Sequence, residues 1–220
     1  MLKTVELFDL GHVAPPLREL LEVTHPWEVL ARLDRFAAGV RRDLRGEVHS
    51  TAVLEGEVYL AEGASIGPHA YVKGPVWIGA GAEVGHGAYV RDNAVLGPNT
   101  KVGHASEVKR SLLLAGAKAP HFNYVGDAVL GHNVNLGAGV KLANLKAVGR
   151  AVTVGGVDTG LRKFSAAMGD DVSVGCNAVL TPGTLIGPRT VVYNGAMLRG
   201  VYPADSIVKV RQSVEQTSRH

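Results

Sequence analysis

Twelve successive positions, Val48, Leu54, Leu60, Ile66 and onward at intervals of six to Leu114, are all Val, Leu or Ile. A second series runs Tyr124, Leu130, Leu136, Leu142, Val148, Val154, and a third Met168, Val174, Leu180, Ile186, Val192, Leu198. A period of six fits neither the 3.6 of an amphipathic helix nor the 2 of a flat strand. It fits a solenoid in which each hexapeptide is a short strand and a bend, and three hexapeptides close one triangular coil. The series predict about eight such coils over residues 47–205. Gly follows the apolar residue repeatedly, as in Ile66-Gly67, Val84-Gly85, Val102-Gly103 and Leu136-Gly137, where a corner would ask for backbone angles closed to other residues.

Composition agrees with thin layers: 28 of 220 residues are Gly, and aromatic residues make up 5%. One cysteine, Cys176, forms no intrachain disulfide and no thiolate zinc cluster, which points to a reducing compartment, and the expected location is the cytoplasm. Met1 to Leu10 carries Lys3, Glu6 and Asp9, so no signal peptide is expected, and no apolar run reaches membrane-spanning length. The net charge of +3 comes from interleaved acids and bases, so neither a nucleic-acid nor a membrane partner is expected.

Residues 1–46 read differently. Pro15-Pro16 and Pro26 open two helical patterns, about 15–24 and 26–39, joined to the repeats by a charged linker from Arg41 to Arg45. The expectation is a helical cap on the first coil, with Trp27 and Phe36 as its contacts. Residues 145–167 interrupt the hexads as an inserted loop, and 206–220 form a tail with a short strand and helix.

The run Lys118-Ala119-Pro120-His121-Phe122-Asn123-Tyr124-Val125-Gly126-Asp127-Ala128, followed by Gly131-His132-Asn133-Val134-Asn135-Leu136-Gly137-Ala138-Gly139, lies inside the hexads. It resembles the left-handed β-helix acetyltransferase domain of bifunctional glucosamine-1-phosphate acetyltransferase / N-acetylglucosamine-1-phosphate uridylyltransferase. The resemblance covers about Tyr89 to Asn144 and resumes from Lys163 to about Asn194. It implies an all-β fold, a left-handed parallel β-helix with a small N-terminal helical cap, and an acetyl-CoA-dependent N-acetyltransferase acting on a hexosamine 1-phosphate.

By the same resemblance His121 is the base that deprotonates the sugar amine, a task suited to imidazole. Arg91, Glu107, Lys109, Tyr124, Asn135, Asn144 and Lys163 fall on sugar-phosphate positions, while Ala138, Cys176 and Asn194 fall on acyl-CoA positions. A homotrimer is implied, with residues 145–165 reaching across the interface. Two departures are visible. The family's Asn-Tyr-Asp-Gly is reduced to Asn144-Leu145 before a longer segment containing Asp158-Thr159-Gly160, and its uridylyltransferase domain has helices in its place, so pyrophosphorylase chemistry is not expected.

Other readings of the residues concern metal and non-catalytic roles. His86 and His104, 18 apart, should stack one coil above the other, but none of the nine His forms the His-x-x-x-x-His pair of β-helical carbonic anhydrases, and no catalytic metal is expected. Cys176 reads as a packed, inert thiol. The alternative to an enzyme is a trimeric scaffold or regulatory subunit that partners a separate sugar-phosphate nucleotidyltransferase.

Overall fold

In each rung one aliphatic side chain per hexapeptide points inward and stacks on its equivalent in the next rung, so the period of six becomes a continuous apolar column. The computed structural model describes residues 2–211 and 213–219. Its strands pair in parallel into three walls. Wall A holds nine strands from Asp43–Leu44 to Val201–Tyr202, wall B nine from Glu47–Val48 to Ile207–Val208, and wall C eight from Val53–Glu55 to Met197–Leu198. The expected all-β solenoid is thus a parallel β-helix of about nine turns, one more than the hexad series suggest, because Asp43–Leu44 of the presumed linker already pairs with the rung above.

The core column corrects two of the periodic series. Leu96 pairs in register with Leu113, and Leu113 with Leu130, so these rungs contain 17 residues rather than 18. Leu113 faces the core and Leu114 faces outward, and Val125 rather than Tyr124 is the inward residue of its rung. Val148 is exposed and Val154 packs outside the prism. From Leu54 onward, core-to-core intervals are six residues across the A-to-B and B-to-C corners. The departures all fall at the corner leading from wall C to wall A: five from Val108 to Leu113, five from Val125 to Leu130, 26 from Leu142 to Met168, and four from Leu198 to Tyr202.

The corner glycines also act differently from expectation. Gly67, Gly85, Gly103 and Gly137 are absent from the residues of positive φ; a side chain would instead be crowded by the neighbouring rung at Gly67 and Gly85 and would strike it at Gly103 and Gly137. A Cβ on Gly103 would lie 2.0 Å from the Pro120 carbonyl oxygen. Left-handed angles fall on other corner residues, among them Asn99, Phe122, Asn133 and Asn177.

The N-terminal helices do not cap the first coil. Val29–Ala38 is the longest, entered through Pro26–Glu28, where the Glu28 carboxylate accepts from the His25 N–H at 2.9 Å. Its apolar stripe of Val29, Leu30, Leu33 and Ala37 is buried. With Leu17–Leu21 and Thr4–Leu7 it lies along wall A, against the outward side chains of Val95, Leu112, Leu114, Val129, Ala167 and Leu185. The cause is in those residues: in these rungs wall A carries apolar side chains on both sides, so it needs a cover that an end cap could not supply. Trp27 meets Phe164 edge-on and Phe36 meets Trp77 in the same way, as contacts to the flank.

The insertion returns to its own chain. Thr153–Val154 and Val157–Asp158 pair as an antiparallel hairpin, and Val152, Val154 and Phe164 are buried in the flank cluster with Trp27. Residues 152–164 are anchored on wall A through Val152, Val154 and Phe164, with the stretch around Val148 and the hairpin tip at residues 155–158 exposed. The tail keeps the expected strand, Ile207–Val208, but no helix follows among the described residues. No helix of the described residues is long and apolar enough to cross a membrane.

Candidate functional site

Wall C strands Tyr89–Arg91, Glu107–Lys109 and Tyr124–Gly126 stack in register, which brings outward side chains of successive rungs together. Arg91 Nε and Nη2 donate to Glu107 Oε1 at 2.9 and 2.7 Å, and Nη1 pairs with Asp92. Burial alone would lower the Arg91 pKa, but Glu107 and Asp92 outweigh it and hold the guanidinium more firmly protonated. Tyr124 is half-buried, and its phenol is pushed up first by that burial and then by the charges of Glu107 and Asp127. Asn144 Nδ2 lies 3.2 Å from the Tyr124 hydroxyl and donates to Asp127 Oδ2 at 2.6 Å.

Asp127 is the group that residue-by-residue comparison overlooks. It is 1% exposed and lies at the C-to-A corner. Its Oδ1 accepts from Arg110 Nη1 at 3.0 Å, while Lys109 Nζ stands 3.6 Å from Oδ2. Arg110 then turns its remaining fork to Asp34 of the Val29–Ala38 helix, at 3.0 and 2.6 Å, and Asn93 donates to the same carboxylate at 2.8 Å. The two carboxylates, Asp34 foremost, raise the Arg110 pKa despite its burial. A signal for this column does exist: Arg110, Asp127 and Asn144 are 17 apart, the length of the shortened rungs.

His121 ends the wall B strand Lys118–His121 and opens the corner to wall C. Its imidazole is exposed and has no hydrogen-bond partner among the described residues, while its backbone N–H donates to Asn123 Oδ1 at 3.0 Å. Above it the corner is laddered by backbone hydrogen bonds: Gly139 N–H to His121 O at 2.9 Å, Asn177 N–H to Ala138 O at 2.9 Å, and Gly195 N–H to Cys176 O at 2.8 Å. The Ala138 N–H has no partner among the described residues. Cys176 N–H is held by Asn194 Oδ1 at 2.9 Å, and the Cys176 side chain is exposed, not packed, because the corner turns it outward.

An open groove of about 590 Å³ beside this corner is lined by Asn135, Gly137, Cys176 and Asn194. Asn135 is an outward residue of wall B, one corner away from Arg91, Glu107, Lys109 and Tyr124 on wall C, and it lines this groove with Cys176 and Asn194. Lys163 is exposed at the base of the insertion. Its backbone bridges Leu145, and the Phe164 N–H donates to Asn144 O at 3.1 Å, so the loop's two ends meet beside Asn144. Below His121 the predicted His86–His104 stack is present, with ring centroids 4.9 Å apart and Nδ1 atoms at 3.0 Å.

Comparison with known proteins adds the following. A family model described as the GMPPB C-terminal domain matches residues 72–157. The chain is 39% identical over 201 residues to "Bifunctional protein GlmU" of Methanococcus maripaludis, covering 90% of this chain and 49% of that protein. It is 34% identical over 184 residues to the "Bifunctional sugar-1-phosphate nucleotidylyltransferase/acetyltransferase" of Sulfurisphaera tokodaii, covering 81% and 46%. The chain spans about half the length of the curated relatives it matches, in their C-terminal half. Among solved structures, the UDP-N-acetylglucosamine acyltransferase of Campylobacter jejuni superposes with a TM-score of 0.39 at 17% identity, covering 73% of this chain and 66% of that one.

Proposed function

We propose that this chain is an acyl-CoA-dependent N-acetyltransferase whose acceptor is the amino group of a hexosamine 1-phosphate of the glucosamine 1-phosphate type. The observation that carries the reading is the exposed, unpartnered imidazole of His121 one rung from the unengaged Ala138 N–H, with the polar cluster of wall C on one side and the open groove at Cys176 and Asn194 on the other. The similarity to bifunctional proteins, one of them described as a sugar-1-phosphate nucleotidylyltransferase/acetyltransferase, supports the same class.

His121 accepts a proton from the sugar amine as the nitrogen bonds to the thioester carbonyl carbon. The Ala138 N–H donates to the oxygen that gains charge, and collapse of the tetrahedral intermediate breaks the C–S bond, releasing the coenzyme as a thiol once it is protonated. Lys109 and Arg91 face the phosphate, while Glu107, Tyr124 and Asn144 face hydroxyl groups, with Lys163 at the loop base. Asn135, Ala138, Cys176 and Asn194 line the path of acetyl-CoA. The working unit is a homotrimer: the chain's own helices and hairpin cover wall A, leaving walls B and C open for neighbours.

Thiol release from acetyl-CoA with glucosamine 1-phosphate tests the reaction. We expect turnover that falls about 10²- to 10⁴-fold in His121→Ala; unchanged turnover in that variant removes His121 from the mechanism. Sedimentation tests the trimer.

One observation favours a second reading, a non-catalytic scaffold for a separate nucleotidyltransferase. Arg91 is already neutralised by Glu107 and Asp92, and Lys109 faces the buried Asp127. Calorimetry separates the two: binding of neither coenzyme A nor the sugar phosphate leaves the scaffold.

A further inference from the structure

We infer that Arg110 is a positioning residue of this site: by neutralising buried Asp127 it leaves Lys109 free to turn to the acceptor's anionic group. The inference rests on the functional reading above and deepens it.

A carboxylate as buried as Asp127 must be compensated by nearby positive charge. Two cations stand within reach, and they are placed unequally. Arg110 Nη1 makes a hydrogen bond of 3.0 Å, whereas Lys109 Nζ lies at 3.6 Å, near enough to feel the charge and beyond a direct hydrogen bond. Asn144 supplies the second close donor, at 2.6 Å. Lys109 is therefore the least tightly held cation of the cluster, ion-paired with Asp127 but not hydrogen-bonded to it, since Arg91 is tied to Glu107 and Asp92.

Arg110 cannot take that part itself. Its Nε and Nη2 grip both oxygens of Asp34, which Asn93 also holds, so a helix on the outer flank fixes the guanidinium toward the corner. Without Arg110, Asp127 would draw the Lys109 ammonium onto itself, and the cation nearest the acceptor's phosphate would be spent within the protein.

The test compares variants that break the same helix-to-corner bridge from opposite ends. Arg110→Gln should raise KM for glucosamine 1-phosphate about tenfold, with kcat and KM for acetyl-CoA within twofold of the parent. Asp34→Asn should leave the sugar-phosphate KM unraised, because Arg110 then serves Asp127 alone. In an Asp127→Asn background Arg110→Gln should add nothing. Equal rises in Asp34→Asn and Arg110→Gln would mean that the bridge only docks the helix. A full rise from Arg110→Gln in the Asp127→Asn background would mean that Arg110 meets the ligand directly. Either result overturns the inference.

Should Arg110→Gln not fold, Arg110→Lys, which keeps the charge and loses the fork, is expected to hold the sugar-phosphate KM within about threefold of the parent, and a full tenfold rise overturns the inference. Should the parent turn over no hexosamine phosphate, the functional reading fails separately. Brief acetic anhydride labelling, read by mass spectrometry, then decides the inference without activity. Lys109 should label several-fold more slowly relative to Lys141 in the Arg110 variant than in the parent, and an unchanged ratio overturns it.

Discussion

Gly103 shows how little space separates successive rungs. A methyl group there would penetrate the Pro120 carbonyl, a fixed backbone atom of the rung above, so the wall must part to admit it. Gly103→Ala is expected to cost about 3 kcal/mol, seen as a lowered midpoint in thermal unfolding. The sequence marks this residue through its place after Val102, though crowding rather than backbone angle explains it. Other residues were hidden for a definite reason. Leu112, Leu113 and Leu114 are all apolar, so a rung one residue short leaves no gap in the pattern, and Leu114 satisfies a count it does not obey. Asp127, Arg110 and Asp34 meet across 17 and 76 residues, where no local motif joins them. His121 and Tyr124 are legible together because they share one contiguous run, whereas that run does not report that Asn135 faces outward on wall B, a different wall from Tyr124.

At the scale of elements, the Val29–Ala38 helix was legible as a helix from its apolar stripe and its opening at Pro26, but its docking place was not. Its position follows from the outer side chains of wall A, which the hexad pattern does not register. Its polar attachment is Asp34 on Arg110 and Asn93. Hydrogen bonding from Arg110 is the largest cause that holds the Asp34 carboxyl below its ordinary 3.8, with Asn93 and the charges of Arg110 and Lys109 acting in the same direction against partial burial. A depressed folded value means that the attachment is intact above 3.8 and is lost as the pH falls through the lower folded value. The near-ultraviolet circular dichroism of Trp27 and Trp77, both on this flank, should therefore decline below pH 3.8 before the far-ultraviolet signal of the walls. In Asp34→Asn this early phase should be absent; a decline that coincides with loss of the walls in both proteins would remove the attachment from the account.

For the whole molecule, each rung touches only its neighbours, so protection should follow position along the prism. The first rung, Glu47–Val48 and Val53–Glu55, has exposed or half-buried residues, as does the last, Val201–Tyr202 and Ile207–Val208. The rungs from Ala94 to Leu142 are fully buried at their cores and covered on wall A. Hydrogen exchange should be slowest there and faster at both ends by on the order of a hundredfold; uniform exchange would contradict a chain of nearest-neighbour contacts. That gradient places the polar cluster in the most rigid third of the prism.

The corner from wall C to wall A serves this chain as an expansion joint. Four residues in all are missing there and a whole hairpin is gained, yet the intervals across the A-to-B and B-to-C corners remain six from Leu54 to the last rung. Length can change at that joint without disturbing the stacked columns, and Arg110, Asp127 and Asn144 all stand on it. Shortening or lengthening the chain at this one edge therefore exchanges the polar groups offered to a ligand and spares the scaffold, which makes it the place to cut and splice in order to alter what the protein binds.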